Sequence, residues 1–93
     1  MTYTEEIFSL LTKIYDLHKE NPGLSFQCSI ETKNNFYYGT LELDINNVIN
    51  QECITLNMVS LSNKMDDTKI LKLDKSCISF DAIKVFSYSV YKN

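Results

Sequence analysis

The residue types that most often do chemistry are few in this chain and widely spaced. Histidine occurs once, at His18, so a Ser–His–Asp or Cys–His arrangement would have to recruit it. Near a helix end, a protonated His18 is instead suited to the helix C-terminal dipole. The cysteines Cys28, Cys53 and Cys77 form no CxxC pair and have no histidines placed to complete a metal site. Their odd number argues against a closed disulfide set and for three reduced, small core residues. Asp66-Asp67 lacks the spaced oxygen ligands of a calcium loop and reads as a solvated turn. Only Gly23 and Gly39 are glycine, so no glycine-rich phosphate cradle exists. A carboxylate pair would need folding to unite Glu31, Glu42 or Asp44, and nothing in their spacing singles one out. The expectation is a binding protein with no catalytic residue, cofactor or metal.

Charge narrows the partner. The 93 residues carry nine cations against twelve anions, a formal charge of −3, and every cation is lysine. Arginine, the bidentate reader of phosphate and guanine, is absent, and the lysines do not cluster. Direct nucleic-acid binding is therefore expected to be weak or absent. The aromatics are more suggestive. Phe36, Tyr37, Tyr38, Phe86, Tyr88 and Tyr91 gather in two segments with strand character. Adjacent strand residues face opposite sides, so Phe36, Tyr37 and Tyr38 cannot all enter one core. Either a partner covers some of them or they crowd a small core; protein interfaces are rich in such side chains.

The elements that must position these residues follow from periodicity. Ile7, Leu10, Leu11, Ile14 and Leu17 share one helical face, and Thr2 with Glu5 makes a capping box. The spacing predicts a helix over about 3–20, ended by Asn21-Pro22-Gly23. From Leu24 the period becomes two, and Leu24, Phe26, Cys28 and Ile30 alternate with polar residues. A turn at Lys33-Asn34-Asn35 leads to a second strand from Phe36 to about Ile45, with Gly39 marking a bulge or close approach. A third strand over about 52–61 places Ile54, Leu56 and Met58 on one face. After a polar loop over 62–68, further strands are expected over about 69–77 and 82–91. The whole is one α+β domain over 1–93: an N-terminal helix, then a strongly bent five-stranded antiparallel sheet. No apolar run is long enough to span a membrane and no signal-peptide pattern opens the chain, so a cytoplasmic or nuclear setting is expected.

A helix followed by strands, with glycine inside the second, resembles an Sm or LSm domain. Phe36-Tyr37-Tyr38-Gly39-Thr40-Leu41 is similar to that family's strand-two pattern, and Asp44 follows near its acidic position. Ile78-Ser79-Phe80-Asp81-Ala82-Ile83 keeps the aliphatic ends of the second Sm motif but lacks its arginine and glycine. The resemblance implies a small barrel, an RNA loop at Asp44, Asn46 and Asn47, and assembly through edge strands. Sm-like proteins without the RNA signature include the Gemin subunits of the SMN complex, which this chain resembles in opening directly from a helix onto a nonconforming Sm core. That likeness implies pairing with protein partners in snRNP assembly.

Three readings follow. The first is a noncatalytic Sm-like module forming a hetero- or homo-oligomer through its edges, with Leu71, Leu73, Ile83, Val85, Phe86, Tyr88 and Val90 at the partner interface. The second is an LSm-type RNA-binding ring subunit. The third is a small acidic inhibitory or immunity-type protein, or an enzyme whose cleft holds a carboxylate pair.

Overall fold

Thr2 begins the architecture by capping helix α1, Tyr3–Glu20. Its hydroxyl accepts the Glu5 N–H at 3.2 Å, satisfying an amide that the first turn would leave free. At the other end the Asn21 N–H donates to Leu17 O, and the Asn21 side chain accepts the Gly23 N–H, so the chain reverses into the sheet. The computed structural model describes residues 2–92, with only the backbone described at Asp67. The buried helical face is Ile7, Leu11, Ile14 and Tyr15. It is rotated from the expected stripe: Leu17 is exposed and Leu10 only half-buried, because Tyr15 turns inward, where its hydroxyl accepts the Asp44 N–H.

Five antiparallel strands follow: β1 Leu24–Glu31, β2 Asn35–Leu41, β3 Cys53–Asn63, β4 Asp66–Ser79 and β5 Val85–Lys92. Their order in the sheet is β4-β3-β2-β1-β5, so each of the first four lies beside its neighbour in sequence and β5 returns to pair with β1. A single turn of 3₁₀ helix, Phe80–Ala82, joins β4 to β5, and Ala82 belongs to it where the fifth strand was expected to begin. Its Phe80 and the flanking Ile78 and Ile83 are all buried, which holds the connector down.

Gly39 is where the sheet bends. β2 and β3 lose register between Tyr38 and Thr40, and β3 carries an extra residue there. A Cβ at position 39 would lie 2.8 Å from Asn57 O and 3.3 Å from both Leu56 Cβ and Val59 Cα. The glycine is needed for this approach of β3 to its face. The same bulge corrects the expected face of β3. Met58 takes a positive φ of 53° and is 81% exposed, while Val59 replaces it in the core beside Ile54 and Leu56.

The core lies between α1 and the concave face, where Phe26, Cys28, Ile30, Leu41, Ile54, Leu56 and Val59 meet the helix. Several strand ends depart from expectation. β2 stops at Leu41 instead of Ile45, since the Tyr15 hydroxyl takes the Asp44 amide and an Asp44–Asn47 turn draws the chain away. β3 and β4 run to Asn63 and from Asp66, leaving only Lys64 and Met65 to turn the hairpin where a longer polar loop was expected. Among the described residues, no helix is long and apolar enough to cross a membrane.

Candidate interaction edges

The two outer strands of the sheet are β4 and β5. β5 hydrogen-bonds along its full length to β1, from Leu24 opposite Lys92 to Glu31 opposite Val85. β4 runs beside β3 from Asn63 opposite Asp66 to Cys53 opposite Ser79. Each has a ladder on one side and, among the described residues, no strand on the other. Such an edge presents a row of backbone donors and acceptors that a further strand can use.

The seven residues expected at a partner interface divide by side chain. On β4, Leu71 is 60% and Leu73 37% exposed, opposite Leu61 and Val59 in the β3–β4 register. On β5, Val85 and Val90 are exposed and Tyr88 is half-buried beside Phe26 and Phe86. Ile83 and Phe86 are core residues, at 4% and 7% exposure, and present no side chain to a partner. Their burial follows from the 3₁₀ turn, which starts β5 three residues late and aims Ile83 inward. Ile70 is an exposed edge-strand residue that sequence reasoning did not include, and Tyr91, expected only as one of the clustered aromatics, is exposed as well.

Lysines on an edge strand usually discourage pairing. β4 carries Lys69, Lys72 and Lys75, but two of them reach back across the sheet. Lys72 Nζ donates to Ser60 Oγ at 2.7 Å, and Lys75 Nζ meets Glu42 Oε1 at 2.7 Å. The Glu42 carboxylate holds the Lys75 ammonium above its ordinary pKa. On β5, the Phe86 N–H already donates to Tyr3 Oη at 2.7 Å, so the free stretch of that edge is its later half.

Asp44, Asn46 and Asn47 come together in the β2–β3 connector. Asp44 Oδ1 accepts the Asn46 N–H at 2.6 Å, Asp44 O accepts the Asn47 N–H, and Asn47 adopts φ 60°. Asparagine tolerates this left-handed geometry better than most residues. All three side chains are exposed. The connector also lines a cleft of about 360 Å³ against the helix, bounded by Leu11, Tyr15, Leu43, Ile49 and Ile54. Its far end meets the β4–β5 connector, where the Phe80 N–H donates to Glu52 O.

The carboxylates that could have formed a pair stay separate. Glu31 meets Lys64 at 3.1 Å at one end of β2, whereas Glu42 meets Lys75 at the other. Among the described residues, no group of three or more His, Cys, Asp or Glu could hold a metal ion. The cysteines depart from the expected three core residues: Cys28 is buried, Cys53 is half-buried and Cys77 is exposed. Burial pushes the Cys28 thiol up to about 12. The aromatic run divides as alternation requires, with Tyr37 half-buried against the core and Phe36 and Tyr38 exposed.

No protein-family model matches the chain, and no curated protein matches it. Among solved structures, it is similar to the Sm protein of Pyrococcus abyssii in complex with a uridine heptamer. Identity is 17% and the TM-score 0.49, over 78% of this chain and 96% of that one.

Proposed function

We propose that this domain is a noncatalytic Sm-like interaction module that assembles with protein partners, its own copies or other chains, through β4 and β5. The observation that carries the proposal is the pair of open edges at the two ends of one sheet. They are furnished with Leu71 and Leu73 on one side and Val90 and Tyr91 on the other. Joining β4 of one chain to β5 of the next would continue the antiparallel ladder and cover these side chains together. Lys72 and Lys75 are engaged within their own sheet, which leaves the β4 edge less guarded than its composition suggests. The resemblance in the second strand and at Ile78–Ile83 supports a place among Sm-like proteins, and the absence of arginine supports a Gemin-type role in snRNP assembly.

Size-exclusion chromatography with light scattering tests the proposal. Assembly predicts a mass above one chain, or a stable complex in which β4 or β5 crosslinks to an identified partner strand. A strictly single-chain species at high concentration, with no edge-strand partner recovered, overturns it. Titrating oligo-uridine into the same sample at several salt concentrations separates the ring-subunit alternative, which predicts saturable, salt-sensitive binding lost on changing Asp44 and Asn47.

A further inference from the structure

We infer that Cys53 and Cys77 form a surface dithiol that closes reversibly to a disulfide by exchange with small-molecule disulfides. In the β3–β4 register Cys53 opposes Ser79 and Thr55 opposes Cys77, which makes the two cysteines diagonal neighbours on adjacent strands. They share a face, because the intervening Ile54 and the adjoining Ile78 turn into the core. Thr55, opposite Cys77 and two residues along β3 from Cys53, places its Oγ1 3.2 Å from Cys77 Sγ. Desolvation raises the Cys53 thiol's pKa, and Cys77 beside it adds to the rise.

Diagonal neighbours on antiparallel strands stand about 7–8 Å apart between Cα atoms. An unstrained disulfide spans about 4.4–6.8 Å, so the strands must draw together slightly. Both can give. Cys53 is the first residue of β3, entered from the β2–β3 connector, and among the described residues β4 is held by a neighbour on one side only. A bridge that pulls strands inward stores strain, and strained, exposed disulfides are the readily reduced ones. Reversibility follows from the same geometry that permits closure.

The exchange balances without any further reactant. The Cys77 thiolate, the more accessible, attacks one sulfur of a small disulfide such as oxidised glutathione and expels one small thiol. The Cys53 thiolate then attacks the Cys77 sulfur, forms the Cys53–Cys77 bond and expels the second. Two protons from the protein end on the two released thiols, and the small disulfide is the species reduced. Cys28, buried and with its thiol pushed up to about 12, stays outside this chemistry.

The experiment treats the folded, reduced chain with oxidised glutathione and follows intact mass and a non-reducing peptide map. The expected result is loss of two hydrogens per chain, one Cys53–Cys77 crosslinked peptide, and full reversal by excess reduced glutathione. C53S should stop at a glutathione adduct on Cys77, whereas C28A should still close the bridge. Predominant chain-to-chain disulfides, a bridge to Cys28, or a C53S variant that gains no more adduct than the parent would each overturn the inference. Circular dichroism before and after oxidation confirms that the folded chain was read.

Discussion

A single methyl group at position 39 would collide with the β3 backbone, since the nearest atom to its Cβ would be Asn57 O at 2.8 Å. Backbone cannot swing aside as a side-chain tip can, so G39A should lower stability by about 1–3 kcal/mol, the usual cost of overfilling a packed site. The midpoint of denaturant unfolding measures it. Cys28 carries a second residue-scale prediction. Its thiol ionises near 9.0 when unhindered and near 12 in the fold. Below the lower value both states keep the proton and stability is indifferent to it. Between the two the unfolded chain gives up its proton first, so stability falls as pH rises through that window. C28A should be less stable at neutral pH but show a flatter decline across the same range, read from unfolding midpoints at successive alkaline pH values.

At the scale of elements, the helix is tied to the strands and their connector by two tyrosines, one at its start and one in its second half. Tyr3 Oη accepts the Phe86 N–H and Tyr15 Oη accepts the Asp44 N–H. Y3F removes the first acceptor and should cost about 1 kcal/mol, with faster amide exchange at Phe86 as its specific signature. The helix was legible from its stripe and capping box, and the first two strands from alternation and Gly39, because these signals are local. The turn of the helical face toward Tyr15 was not legible, since it depends on the Asp44 amide, 29 residues away. Nor was the exposure of Met58, because the β3 bulge is set by the glycine on the neighbouring strand and leaves no mark on β3 itself. The two outer strands were legible but not which of their residues stand exposed: the 3₁₀ turn that buries Ile83 ahead of Phe86 rests on tertiary packing of Phe80. The Cys53–Cys77 neighbourhood emerges only from the β3–β4 register, although both residues lay in strands expected from the sequence.

The whole molecule is flat, 40 × 33 × 18 Å. Leu71 and Leu73 are exposed on the outer strand β4, so replacing both with lysine removes little buried surface. The double variant should keep the unfolding temperature within a few degrees of the parent, a change of at most about 1 kcal/mol, yet convert any assembled species to single chains. Light scattering and thermal unfolding on one sample decide both parts. Three ladders of the sheet join strands adjacent in sequence, while β5 must find β1 across all the intervening hairpins. Ladders closed by short turns form early, and the distant one forms late because a long loop must first be closed. Until then β1 carries an unclaimed flank shaped for residues 85–92. Two chains caught at that stage can seat each other's final ribbon in place of their own, giving an intertwined pair by exchange.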